Sequence, residues 1–408
     1  MGKVFKRLLP MLVTLSLFFA ILAISFNTKG NNQNDTKTPN EPAIHLNVSH
    51  KGEMLAVWVP YMTLSLENGT QSEAAFKSKF DNIISVAKKS GMNTLIVQIR
   101  PFADALYPSK YFPWSHILTG TQGQDPGYDP LKIMVQDTHA AGLEFHAWVN
   151  PLRISSNGTP KTLSKNNQYY TLKKENSDYV LSYNNSYYLN PAYPEVRKLI
   201  IDDIREIVSK YSVDGIQFDD YFYPTQDSGF DQVSYQKYTS SLSDNANPLS
   251  QPNWRTNNIN ALISGVYSAV HIANKNAVFG ISPEGNMSND ISAGADVYSW
   301  SKDSGYIDYI CPQVYVNFDS SVLPYGSAVD DWRKLVTCKN VKLYIGLAVY
   351  KAGSDADSGS WKKSDNIIEK EIEFARTKKV DGFMLYSWDY LQNSQTAQEM
   401  KNVMKVLS

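Results

Sequence analysis

Eight short β-rich runs, separated by longer amphipathic or irregular segments, constrain this chain more than any other feature. They are Leu55–Pro60, Thr94–Arg100, Glu144–Asn150, Gly215–Asp220, Val278–Ser282, Ile307–Gln313, Lys342–Tyr350 and Gly382–Ser387. Stretches such as Phe76–Ser90 before Gly91, Leu131–Ala141 before Gly142, and Glu195–Lys210 read as the intervening helices. Strands that alternate with helices form parallel sheets, and eight such units predict an α/β fold, the (β/α)₈ or TIM barrel. With 408 residues, 42% of them hydrophobic, the chain can bury one large core. The barrel domain is expected over 51–408.

Side chains alternate between the two faces of a strand, so each run assigns an inward set. Leu95, Val97 and Ile99 face the helices and leave Gln98 and Arg100 inside. By the same count His146, Trp148 and Asn150 point inward from the third run, and Gln217 and Asp219 from the fourth. Gln313 and Tyr315 share the parity of Cys311, while Gly346, Ala348 and Tyr350 are the inward set of the seventh. A barrel interior with no other task is filled by branched aliphatics. Polar groups near the C-terminal strand ends predict a site at that mouth. The connections 101–130, 151–194 and 221–254 are long and rich in Tyr, Asn, Ser, Gly and Pro, as expected of loops that build a groove for an extended substrate.

The N-terminus has a different character. Lys3, Lys6 and Arg7 precede an uncharged apolar run from Leu8 to Phe26, followed by a polar stretch to about His50. Residues 1–26 read as a signal peptide or a membrane anchor, and 27–50 as a flexible linker. Both readings export the rest of the chain to the cell envelope or beyond, with membrane contact only through an uncleaved N-terminal segment. A formal net charge of -1 gives no electrostatic footprint for nucleic acid. Cys311 reads as a core thiol, and two cysteines alone do not imply a bridge with Cys338.

The chemistry concentrates in Asp214-Gly215-Ile216-Gln217-Phe218-Asp219-Asp220-Tyr221-Phe222-Tyr223-Pro224. Glycosidic cleavage needs one carboxyl to donate a proton and one carboxylate to stabilise or trap an oxocarbenium-like centre. Adjacent aspartates at a barrel strand end suit both roles, since neighbouring like charges raise the pKa of one of them. The structural alternative is an Asp pair bound to Arg100 or Arg153. Parity turns Asp219 inward, whereas the direction of Asp220 stays open. Glu284, in step with Gly280 and Ser282, is a candidate second acid or a plain loop carboxylate. Glycosidases that use a substrate acetamide carry a Glu two residues beyond the aspartate, where this chain has Tyr221. The seventh run ends in Tyr350, where the large clan of retaining barrel glycosidases has a nucleophilic Glu. Arg100, His146 and Asn150 can bind sugar hydroxyls or orient a carboxylate, and Trp148 or Tyr315 can stack on a ring. No metal-ligand spacing or Gly-rich phosphate loop is present in the sequence, so neither metal nor cofactor is expected.

These motifs resemble those of the bacterial glycosyl hydrolase-like family ten proteins, exported barrels related to peptidoglycan glycan-strand hydrolases. The resemblance rests on Ala56-Val57-Trp58-Val59, Gln98 to Tyr107, Pro113-Trp114-Ser115 with Leu118-Thr119-Gly120, and His146 to Arg153. Leu189-Asn190-Pro191, Asp214 to Pro224, Phe279 to Pro283 and Cys311 to Tyr315 complete it. It implies action on wall glycan, a polysaccharide, with Arg100, Asp104, His146, Asn150, Arg153, Asp219, Asp220, Tyr223, Gln313 and Tyr315 lining the site. The chain departs from the family pattern at Glu284 and at Val316, where the family shows a small or apolar residue and a Trp. Two other readings remain: a barrel that binds wall glycan without cleaving it, and a metal-dependent polysaccharide deacetylase.

Overall fold

The computed structural model describes residues 52–408. The segments read as signal or anchor and as linker lie outside the described residues. Eight strands close into one parallel barrel in chain order: β1 (Met54–Val59), β2 (Thr94–Arg100), β3 (Glu144–Val149), β4 (Gly215–Phe218), β5 (Val278–Ile281), β6 (Tyr309–Ile310), β7 (Lys342–Leu347) and β8 (Gly382–Leu385), with β8 paired back onto β1. This is the (β/α)₈ barrel expected from the strand count. The sixth strand is shorter than expected because Pro312 has no N–H for the ladder. Pairing resumes only as isolated bridges from Gln313 to Glu284 and Gly346. Among the described residues no helix is long and apolar enough to cross a membrane.

The alternation of side chains divides the apolar material into two cores. Leu95, Val97, Ile99, Phe145, Ala147, Val149, Ile216 and Phe218 pack outward against helices that include Glu73–Lys89, Pro130–Ala140 and Pro194–Lys210. Ala56, Trp58, Ile96, Trp148, Tyr309, Cys311, Tyr344 and Met384 fill the interior. Ala348 is an exception: β7 gives way to a 3₁₀ turn over Val349–Lys351, and Ala348 packs in the outer core. The helices begin and end where local chemistry allows. Ser72 accepts from the Ala75 N–H, Pro130 and Pro194 occupy first-turn positions, and Gly91 and Gly142 take positive φ just past the helix ends.

A fourfold device at the bottom of the barrel sets the register. The residue entering each even strand is Asn93, Asp214, Asp308 or Asp381. Each side chain accepts from an N–H of the preceding odd strand: Leu55 (2.9 Å), Phe145 (2.8 Å), Phe279 (2.7 Å) and Leu343 (2.9 Å). Each backbone N–H donates back to the carbonyl of that same residue, at 2.7 to 2.9 Å. Each backbone carbonyl accepts from the next odd strand, at Glu144, Val278, Lys342 and Met54. One short polar residue thus holds three strands in step.

Removing one grip leaves a largely buried strand N–H without its acceptor. Asp308→Ala is expected to lower stability by about 1–3 kcal/mol, read as a drop in denaturant midpoint at unchanged slope. Asp308→Asn keeps an acceptor oxygen and should lose less.

Candidate active site

Below the mouth, the interior is closed by a polar floor. The Trp58 indole donates to Gln217 Oε1 (2.6 Å), Gln217 Nε2 to the Tyr309 hydroxyl (3.3 Å), and His146 Nδ1 lies 3.0 Å from that hydroxyl. Two glycines make room for these side chains. A Cβ on Gly215 would fall 2.6 Å from the His146 ring, and one on Gly280 would fall 2.1 Å from Tyr309. His146 does point inward, but it sits one interior layer beneath Trp148 and is sealed from the mouth. Burial lowers its pKa to about 4, so it is neutral near pH 7. The inward direction expected from parity holds, but the structure places His146 in the floor beside the Tyr309 hydroxyl and not at the mouth.

Above this floor lies the carboxylate pair. Asp219 follows β4 and points into the mouth, almost wholly buried. Its Oδ2 accepts from the Trp148 indole (2.8 Å) and from Asn150 Nδ2. The amide of Asn150 is held in that orientation because its Oδ1 accepts from Gln98 Nε2 (2.6 Å) and Arg153 Nη2 (3.0 Å). Half-buried Asp220 accepts from Gln313 Nε2 (3.2 Å), which also donates to the Ser282 carbonyl (3.0 Å). Burial raises both carboxyls above the usual range, opposed in Asp219 by Arg153 and the Trp148 hydrogen bond. In Asp220 the charges of Asp219 and Glu284 add to burial and push it up to about 7. The donors around Asp219 favour its charged form, while the neighbouring carboxylates push Asp220 further toward protonation.

Arg153 is held on several sides. Its Nε donates to the Pro101 carbonyl (2.9 Å), and its guanidinium lies between the rings of Phe102 (5.0 Å) and Tyr221 (4.9 Å). It orients Asn150 and backs Tyr221, which is 45% exposed. Tyr315, Tyr350 and Tyr386 form a triangle with all three centroid separations at 5.8 Å, and Trp58 lies 6.0 Å from Tyr386. Tyr386 is raised to about 12 by burial, then by Asp389, Asp219 and Asp220, which places this aromatic wall beside the pair.

Several sequence-derived candidates lie elsewhere. The β2–β3 register shifts between Gln98 and Arg100, which puts Arg100 level with outward-facing Val149. Arg100 is therefore buried outside the barrel, 3.2 Å from Asp203 on Pro194–Lys210 and over the Phe112 ring at 4.5 Å. Asp104 is buried in the loop after β2, where it accepts from Gln122 (3.0 Å) and meets His116 (3.4 Å), so it anchors that loop. Tyr223 packs under Arg255 (5.1 Å), away from the pair. Trp148 is buried and serves as a hydrogen-bond donor, not a stacking face. Glu284 is exposed at the rim, bridged to Gln313 and bound by Asn289 Nδ2 (2.5 Å).

The structure also adds residues that parity could not reach. Asp290 is buried with Oδ2 unpartnered, and its Oδ1 accepts the Glu284 N–H (2.8 Å). Burial holds it well above the carboxylate range, with Asp220 and Glu284 adding to the shift. It lies in the short helix Met287–Ser292, where a strand parity count carries no information. Tyr221 and Tyr386 join the mouth because each follows a strand end, beside Tyr350 from the inward count of the seventh run. Position relative to β4 and β8 was the one signal for these two.

Residues 53–362 match the family model described as glycosyl hydrolase-like 10. The chain belongs to that family. It is 36% identical over 363 residues to the glycosyl hydrolase YngK of Bacillus subtilis, covering 84% of this chain and 69% of that protein. It is 32% identical over 367 residues to the glycosyl hydrolase DigH of Escherichia coli, covering 84% and 82%. Among solved structures, it resembles the PgaB (BpsB) glycoside hydrolase domain from Bordetella bronchiseptica (TM-score 0.56, 12% identity, 87% of this chain and 99% of that one). It also resembles α-L-fucosidase isoenzyme 2 from Paenibacillus thiaminolyticus (TM-score 0.54, 12% identity, 86% of this chain and 49% of that one). At such identities the likeness is of fold.

The raised carboxyls carry a stability signature. A folded-state pKa above the unfolded value means that the folded protein keeps protons the unfolded chain has lost. Stability then falls as pH climbs from about 4 through neutrality. Asp220→Asn removes that loss, so it is expected to leave Tm unchanged near pH 4 and raise it at pH 8. Thermal unfolding at the two pH values reads this directly.

Proposed function

We propose that this family member is an exported glycoside hydrolase that cleaves a β-linked, N-acetylated bacterial wall glycan of the peptidoglycan type. The observation that carries this reading is the desolvated Asp219–Asp220 pair at the end of β4, with one carboxyl held by donors and its neighbour pushed toward protonation. In this reading Asp220 gives its proton to the glycosidic oxygen as the C–O bond breaks. Asp219, ionised, stabilises the positive charge that develops at the anomeric carbon. Water then adds there, and its proton returns to the pair. Asn150, Gln98 and Arg153 keep Asp219 aimed. Gln313 positions Asp220, and Tyr221 and Tyr315 offer ring faces to the sugar. The wall-glycan assignment is supported by the motif resemblance and by the N-terminal apolar run, which fits an exported chain.

The test is a product assay with full-length protein and peptide-free peptidoglycan glycan strands, following soluble muro-oligosaccharides by mass spectrometry. The wild type is expected to release them. Asp219→Asn and Asp220→Asn should each lower turnover by about 10²–10⁴-fold without loss of fold. Activity should decline above neutrality as Asp220 loses its proton. Intact strands with protein bound to them would replace this reading with a non-catalytic wall-glycan barrel. Activity lost to a chelator and restored by a divalent ion would point to a deacetylase.

A further inference from the structure

The connection after β3 folds into an antiparallel sheet of Arg153–Ser155, Ser186–Leu189 and Val180–Tyr183. The connection after β4 carries the segment 225–231 and the helix Gln232–Ser240. Both leave the barrel at its C-terminal mouth. Between them lies a groove of about 470 Å³, walled by Tyr183 and Phe230 and edged by Asp178, Ser182 and Asp227. Sites that take small ligands fall in this size range and combine ring faces with a few polar groups.

Two features tie this groove to the carboxylate pair. The first is an aromatic track. Tyr221 lies against Arg153, and Arg153 pairs across the insert sheet with Tyr188. Tyr188 stands 6.2 Å from Phe230, which is 6.1 Å from Tyr183. Half-exposed or partly buried rings thus run from beside Asp219 to the groove. The second is rigidity. Buried Arg255 grips Asp231 through Nη2 (2.6 Å) and Nε (3.0 Å) and donates to the carbonyls of Thr225 (3.2 Å) and Asp227 (2.7 Å). Gln251 adds bonds to Asp231 (2.7 Å) and Ser228 (2.8 Å). Such clamping holds the Phe230 wall in place before any ligand arrives.

We propose that the groove between Tyr183 and Phe230 is a distal subsite for a sugar ring of the same glycan chain, remote from the bond to be cleaved. The inference rests on the glycosidase reading and deepens it: the protein grips long chains and is selective for their length. The ring faces of Tyr183 and Phe230, with Ser182 and exposed Asp227 at the edge, suit the C–H faces and hydroxyls of a sugar.

The experiment compares glycan strands of two lengths, a short muro-oligosaccharide that cannot extend past Tyr221 and a long peptide-free strand. Full-length wild type, Tyr183→Ala and Phe230→Ala are assayed on both, with Tyr183→Phe as the variant that keeps the ring. On long strands each alanine variant is expected to raise KM by about tenfold, with kcat unchanged. On the short oligosaccharide, wild type and variants should be equal, and Tyr183→Phe should match wild type on both. Equal KM values for all proteins on long strands would overturn the subsite. So would equal losses on both lengths, because they would indicate a fold defect. If no protein cleaves either glycan, the catalytic reading fails, and the same variants are tested by direct binding to the long strand. A tenfold weaker Kd for the alanine variants then supports the subsite, and an unchanged Kd overturns it.

Discussion

The register of the barrel rests on four short polar residues at its base. Asn93, Asp214, Asp308 and Asp381 each bond one strand through side chain and backbone N–H, and the next through the carbonyl. In a closed barrel a slip of one residue would turn every inward side chain outward. It would send Asp219 and Trp148 toward the helices and bring Phe218 and Val149 into the mouth. The grips at the bottom therefore decide what chemistry stands at the top, although no atom of them approaches the site.

The interior is organised in levels with different tasks. The floor of Trp58, Gln217, Tyr309 and His146 is satisfied within itself, and glycines at 215 and 280 leave space for its rings. It closes the barrel to water from below and holds the Asp219 carboxyl in a largely dry environment. Burial disfavours charge on Asp219, Asp220 and Asp290 alike. That is a cost to folding that a purely structural mouth would avoid by using aliphatic residues. The donors are unequally shared: Asp219 accepts from Trp148 and Asn150, while Asp220 accepts from Gln313. This inequality gives two adjacent aspartates, chemically identical in sequence, different surroundings: donors favour the charged form of one, and neighbouring carboxylates push the other further toward protonation.

Arg153 connects the levels to the rim. It fixes the flip of Asn150, is sandwiched by Phe102 and Tyr221, and begins the insert sheet whose Tyr188 leads toward the groove. Arg100, by contrast, has the residue type expected of a sugar ligand but spends its charge on Asp203 in the outer layer. The difference lies in a single irregularity of pairing between β2 and β3.

The eight strands, their order and the two faces of most of them were legible from hydrophobic alternation, because period-two patterning is local and the barrel repeats it. The placement of Asp219, Asn150 and Gln313 toward the mouth followed from the same count, and the family was legible separately in its motifs. Alternation could not show the bulge that everts Arg100, the depth at which His146 stops, or the turn that carries Tyr223 under Arg255. Asp290, Tyr221 and Tyr386 come from segments beyond strand ends, where no period operates. The sequence by itself determined the architecture and which residues can point inward, since these depend on neighbours two and four positions away. Tertiary structure alone decided which of them meet, which are desolvated and which of two aspartates is pushed further toward protonation, because those properties arise from groups brought together across the barrel from distant parts of the chain.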